Sequence, residues 1–276
     1  MRFTSKIILG GILFIFITSV LFIIGFSFSE RRNYESINIS NQIYFSQDNP
    51  IGMDIESYRV IVFETEKTDS QIRFYFGAEN NSLNINPMTS EEVNKLFFPE
   101  ALNGFVTANT NNDTLTIQIK FYEYREKYDV KVFNNQIHLF GFNISIHTSK
   151  VNVINKLYGL PTTVSNIETD IIKIVSYGDV LIESCKAIVI DPVVNRRDSK
   201  LTVKNSVAKT INLDLDVLGS WSVEGCDVEV QNHTGSGKHH ITQHRNEKTK
   251  INWNPKNENA ELNIKVPGDS IQIVFQ

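Results

Sequence analysis

The apolar and polar positions of this chain follow two different rules. From Ile7 to Phe28 the sequence IILGGILFIFITSVLFIIGFSF is apolar on every face and holds no Asp, Glu, Lys or Arg. At about 1.5 Å per residue its 22 residues span roughly 33 Å, the thickness of a bilayer core. Only a helix satisfies its own backbone in lipid over that length. A cleaved signal peptide is the rival reading, but its apolar region is about 7–15 residues and ends in small residues. Gly25-Phe26-Ser27-Phe28 offers no such cleavage site. The segment therefore predicts a single-pass membrane anchor. Arg2 and Lys6 precede it and Arg31 and Arg32 follow it, so the positive-inside rule discriminates little. A short leader before a large body predicts the body on the extracytoplasmic side.

Beyond residue 29 the period falls to two. Residues 30–50 read as a polar stalk with one possible strand. Runs such as Tyr58–Phe63 and Gln71–Phe76 are β-branched or aromatic and bounded by Asp, Asn and Gly, the strand signature. Thr114–Phe121 alternates without a break, with Leu115, Ile117, Ile119 and Phe121 on one face. Ser90 followed by Glu91 and Glu92 predicts one short helix, with Ser90 as N-cap, running to Phe97 and stopped by Pro99.

After Pro161 the strands shorten and recur. Four corners align: Val164-Ser165-Asn166-Ile167, Ile182-Glu183-Ser184-Cys185, Val203-Lys204-Asn205-Ser206 and Val223-Glu224-Gly225-Cys226. Their third positions step by 18, 21 and 20 residues. A period near 20 with short strands fits a β-solenoid, in which turns stack about 4.8 Å apart and bury an apolar ladder. An antiparallel β-sandwich with regularly recurring hairpins is the alternative. The predicted organisation is thus mainly β: anchor 1–29, stalk 30–50, a β-rich domain 51–160 with the one helix, and a β-solenoid over 161–276. Stacked turns would hold Cys185 and Cys226 two rungs apart, roughly 9–10 Å, beyond the ~7 Å reach of a disulfide. Two free, buried thiols are expected.

Composition changes this picture in two ways. The net charge of −4 excludes a basic nucleic-acid footprint. The 29 asparagines suit turns, because Asn tolerates positive φ and bonds nearby backbone. Sequons begin at Asn38, Asn80, Asn112, Asn143 and Asn232, as an Asn-rich chain produces by chance.

The Thr114–Ile117 strand after Asn112-Asp113, a second strand leading into a repeat, and corners of the form V-x-[SNG]-[SC] resemble the bacterial head-GIN domain family of autotransporter adhesin-like proteins. The resemblance covers roughly 111–274. It implies an exported, right-handed β-helix with no established enzymatic activity. The family's Ser-Gly-Ser-Gly corners are matched only by Gly235-Ser236-Gly237, displaced into a loop.

Chemistry-bearing residues are sparse. His233, His239, His240 and His244 fall within twelve residues and are the weak candidates for a metal site, against the plainer reading of an exposed polar hairpin. Asp214 and Asp216 alternate as paired carboxylates of a β-helix hydrolase would, but with Leu213, Leu215 and Val217 between and beside them they read as a solvated strand face. Nucleophile-elbow, zincin, P-loop and dinucleotide motifs are absent from the sequence. Tyr122, Tyr124 and Tyr128, beside Arg125 and Lys127, are candidate partner-binding aromatics, or a cap over the end of the stack. The sequence thus predicts a membrane-held, non-enzymatic, adhesin-like or structural module, without a cofactor, that engages a protein or glycan partner. The alternatives are a carbohydrate-active β-helix enzyme and an envelope sensor or assembly subunit.

Overall fold

The computed structural model describes residues 41–67, 71–77, 80–88, 94–196, 198–242 and 249–265. The predicted anchor, Ile7–Phe28, lies outside them. No helix among the described residues is long and apolar enough to cross a membrane.

The described residues begin with β1 (Gln42–Tyr44) and β2 (Ile51–Asp54) and then form a turn of three strands, β3 (Val60–Thr65), β4 (Arg73–Phe76) and β5 (Ser82–Asn86). After β6 (Lys95–Phe98) and β7 (Val106–Asn111) comes a second three-strand turn. It holds β8 (Thr114–Ile119), the helix α1 (Phe121–Lys127), β9 (Gln136–Phe140) and β10 (Asn143–His147). From β11 (Val151–Asn155) and β12 (Thr162–Ser165) onward each turn has two strands. These are β13 (Glu168–Ser176) with β14 (Val180–Glu183), β15 (Lys186–Val194) with β16 (Lys200–Lys204), and β17 (Val207–Asp214) with β18 (Ser220–Glu224). Then follow β19 (Asp227–Gly235), β20 (Lys238–Thr242), β21 (Lys250–Pro255) and β22 (Glu261–Lys265).

These strands build walls. One runs β21-β19-β17-β15-β13-β11-β3-β8-β7 and faces a second, β18-β16-β14-β12-β5-β10-β6-β2. A third, β1-β9-β4, closes only the three-strand turns. All pairing in the repeat is parallel: Thr162 pairs with Val180, Val180 with Leu201 and Leu201 with Trp221. The register thus advances by the 18, 21 and 20 residues read from the corners, and the antiparallel sandwich is excluded. Among the described strands, antiparallel pairing is confined to β7 on β8 and to β2 and β6 beside β10.

The third residue of every corner is left-handed: Asn166 at φ 58°, Ser184 at 54°, Asn205 at 49° and Gly225 at 62°. L-residues pay about 1–2 kcal/mol there, least for Asn and nothing for Gly. The corners then lock to one another. Asn166 N–H donates to the Glu183 carbonyl at 3.1 Å, Ser184 N–H to Lys204 at 3.0 Å and Asn205 N–H to Glu224 at 2.9 Å. Between the walls, columns such as Val164-Ile182-Val203 and Ile172-Ile190-Ile211 are wholly buried, each side chain contributing about 1.5–3 kcal/mol of transfer energy. One continuous core joins the three-strand and two-strand turns.

Two expectations are corrected. Lys95–Phe98 is a strand, not the end of a helix; residues 89–93 lie outside the described set. Leu96 and Phe98 alternate into the core, and pairing with β2 and β10 overrides the local capping signal. The helix occurs instead at Phe121–Lys127, where Phe121 is buried and the Glu66 carboxylate accepts the Tyr122 N–H at 2.6 Å. Both cysteines are free, and Cys185 is buried, but Cys226 is only half-buried because β20 does not pair over β18.

Ser184 is the one corner with a poorly suited residue. Ser184→Gly is expected to raise the thermal unfolding midpoint, by an effect of up to about 1 kcal/mol, while Asn205→Val lowers stability by about 1–2 kcal/mol. Unfolding followed by circular dichroism checks both; equal midpoints for the two variants would contradict the corner assignment.

Candidate functional site

Strand alternation disperses the histidines rather than gathering them. His233 points between the walls and is fully buried; His239 is half-buried, and His240 is exposed. His244 lies outside the described residues. Among the described residues no group of three His, Cys, Asp or Glu side chains converges on a metal position. His233 and Gln231 occupy columns that the preceding turn fills with Leu213 and Ile211. Their side chains meet each other, Nε2 to Oε1 at 3.1 Å, and Trp221 stands edge-on to the imidazole at 5.3 Å. Burial pushes the His233 imidazole down to about 4. Beside this polar step the second wall splits between β18 and β20, leaving a cleft of about 510 Å³ against Trp221, Gln231 and Ile241.

Asp214 and Asp216 do come together, but around a cation. Lys256 Nζ donates to Asp214 at 2.6 and 2.8 Å and to Asp216 at 2.9 Å. Asp216 also accepts the Ser236 N–H at 2.8 Å and faces His239 Nε2 at 3.1 Å. The Ser236 N–H, with Lys256 and His239, holds Asp216 well below the usual carboxylate range. A glycosidase pair needs one carboxyl raised to act as acid. Both members here are instead bonded to Lys256, so the pair reads as an ion-paired clasp across two turns.

The more distinctive surface lies where the third wall stops. β4 is one edge of that wall. Phe74 and Phe76 turn inward onto Phe121, at 5.1 and 6.2 Å between ring centres. Alternation therefore sends Arg73 and Tyr75 outward. The next turns lack a third strand, so their connections form a ledge beneath this edge. Tyr158 on that ledge is 54% exposed, with the Arg196 guanidinium 5.0 Å above its ring. The resulting groove, about 480 Å³, is lined by Arg73, Tyr75, Tyr122, Lys156, Tyr158 and Arg196 among others. No carboxylate among the described residues lines it.

Of the three tyrosines singled out in the sequence, Tyr122 lines this groove, its hydroxyl donating to the Ile72 carbonyl at 2.8 Å. Tyr124 packs against Phe45, Phe105 and Tyr128, and Tyr128 is exposed; neither lines the groove. Arg73, Tyr75 and Tyr158 were not legible as site residues. The one signal was in β4, where an Arg and a Tyr occupy the face opposite two core phenylalanines.

No known family model matches the chain, so membership of the head-GIN family is not shown, and no curated protein matches it. Similar solved structures include a provisionally named adhesin from Bacteroides fragilis, 14% identical over 81% of this chain and 96% of that one, with a TM-score of 0.44. Another is a provisionally named lipid-binding protein from Parabacteroides distasonis, 10% identical over 83% and 98%, TM-score 0.39. A third, from Parabacteroides merdae and also provisionally named an adhesin, is 12% identical over 82% and 95%, TM-score 0.34. Likeness at this level carries no functional argument.

The buried imidazole makes a pH prediction. The folded pKa of His233 lies below the unfolded 6.5, so the unfolded chain binds the extra proton and stability falls as pH drops from 6.5 towards 4. The loss is expected to be on the order of 3 kcal/mol across that window. His233→Leu, the residue one turn earlier in the column, removes this slope. Glu66, raised by burial, titrates in the opposite sense in both proteins and cancels in the comparison. Denaturant unfolding at a series of pH values measures it; parallel curves for the two proteins would refute the assignment.

Proposed function

We propose that this chain is a non-enzymatic glycan-binding module held at the extracytoplasmic face of a membrane by the segment Ile7–Phe28. The observation that carries the reading is the groove beneath β4. It presents tyrosine faces and cationic donors on a rigid ledge. Sugar rings present C–H faces that pack on aromatic rings and hydroxyl groups that accept from Arg and Lys, so this lining suits them. A protein partner is the competing occupant, and neither reading needs a cofactor.

The commitment of both Asp214 and Asp216 to Lys256 removes the carboxylate pair that the sequence offered as catalytic, which supports a binding role over hydrolysis. The apolar segment supports an anchor at the end of the chain opposite the repeat. Such a placement presents the stacked turns away from the bilayer.

Two measurements test the parts separately. Alkaline carbonate extraction of membranes should leave the full-length chain in the pellet and release a chain lacking residues 1–29, and protease added to intact cells should cut the body. Recovery of the full-length chain in the soluble fraction would end the anchor proposal. For the groove, the detergent-solubilised full-length protein on a glycan array should lose affinity about tenfold with Tyr158→Ala, equivalent to ~1.4 kcal/mol. Binding that ignores Tyr158 would move the site elsewhere.

A further inference from the structure

The groove does not end at the tyrosines. A second cleft, of about 500 Å³, adjoins it and shares both Ile72 and Arg73 with it. Its remaining lining is made of side-chain amides: Gln71, Asn134, Asn135 and Gln136. Together they form one trough with aromatic rings at one end, amides at the other and Arg73 at the junction.

The amide end is rigid. Asn134 and Asn135 are both left-handed, at φ 49° and 58°, the pattern of a two-residue type I′ turn. Gln136 N–H closes that turn on the Phe133 carbonyl at 2.9 Å. Arg73 N–H donates to the Asn135 carbonyl at 2.8 Å, and Arg73 pairs in register with Gln136. The backbone under the guanidinium is thus fixed to the turn that carries the amides. The aromatic end is held as well, with Tyr75 stacked on His138 at 5.7 Å and Tyr158 beneath Arg196. Little ordering remains to oppose binding.

Charge decides which ligand suits the trough. Lys156 is paired with Glu64 at 2.8 Å and Arg196 with Asp198, both carboxylates standing outside the lining. Arg73 is exposed and has no side-chain partner among the described residues. A planar guanidinium left open matches one carboxylate in a bidentate pair. Amides, each donor and acceptor at once, match vicinal hydroxyls. A polyanion such as a nucleic acid would call for a row of unpaired cations, and the chain carries a net charge of −4.

We infer that the trough takes an acidic oligosaccharide, with a uronate carboxylate on Arg73, one sugar face on the Tyr158 end and hydroxyls on the Asn134–Gln136 amides. This rests on the glycan-binding reading and narrows it to a charged sugar of more than one residue.

Calorimetry on detergent-solubilised full-length protein tests it with tetrameric galacturonate, alginate and hyaluronan fragments, each against its uncharged methyl ester. At least one acid form is expected to bind ten times or more tighter than its ester. Arg73→Ala should bring the acid form down to the level of the ester, Arg73→Lys should recover only part, and Lys209→Ala, an exposed cation outside the trough, should change nothing. Circular dichroism confirms that the variants fold. Equal binding of acid and ester, or indifference to Arg73→Ala, overturns the acidic ligand while leaving glycan binding intact. No binding by any acid or ester overturns both.

Discussion

Everything in this molecule depends on the left-handed residue at each corner falling directly over the one before it. A parallel strand pair has no hairpin to set its register, so something else must stop each turn from slipping by a residue. Slippage by one would reverse every side chain, exposing the isoleucine columns and burying their polar neighbours. Here the corner does that work. Asn166, Ser184, Asn205 and Gly225 turn the chain at the same point in successive rungs, and the N–H groups of the first three bond the rung above. The fourth corner positions then stack inside them, with Cys185 N–H donating to Ser206 Oγ at 3.1 Å and Ser206 N–H to Cys226 Sγ at 3.4 Å. Cysteine and serine are small enough to be exchanged there without moving the backbone.

This constraint explains what was legible in the sequence. A corner that must be left-handed restricts residue type, so the spacing of 18, 21 and 20 could be read from single residues and reappears as the pairing register. The helix was harder to read. Ser90-Glu91-Glu92 offers a local capping signal, yet Lys95–Phe98 is a strand because its alternation feeds two neighbouring strands that lie distant in sequence. The aromatic run from Phe121 offers no cap of its own, and its helix is capped by Glu66 from another turn. The asparagines were read as turn formers, which Asn112, Asn134, Asn135, Asn166 and Asn205 are. They also form an outward ladder that the sequence pattern did not suggest: Asn212 donates to Asp191 at 3.3 Å, Asn232 to Asn212 at 3.0 Å and Asn252 to Asn232 at 2.9 Å. A side chain that both donates and accepts can repeat indefinitely along stacked turns, which is a reason for Asn beyond its backbone habits.

The site was less legible for a related reason. Core residues announce themselves by period, because burial repeats with the strand. The groove is made where the repeat changes, at the step from three-strand to two-strand turns, and its residues come among others from β4, from α1, from the connection after β11 and from the connection after β15. No sequence period links Arg73, Tyr122, Tyr158 and Arg196. The pairing of β11 with β3 and of β12 with β5 seats the two-strand turns directly on the first three-strand turn. The histidine cluster shows the converse: residues adjacent in sequence that alternation sends to different faces.

The two charged clusters of the coil make the final distinction between structure and recognition. The contacts among Asp214, Asp216, His239 and Lys256 link residues 23, 40 and 42 positions apart, and Lys256 answers both carboxylates within the cluster. Such a set joins successive turns and leaves nothing over for a ligand. Arg73 has the opposite arrangement: its backbone is fixed to β9 and to Asn135 just before it, while its side chain stands open between two clefts. The contrast is between a cation spent on joining turns, as Lys256 is, and one held by its backbone with no side-chain partner among the described residues, as Arg73 is at an edge of the third wall.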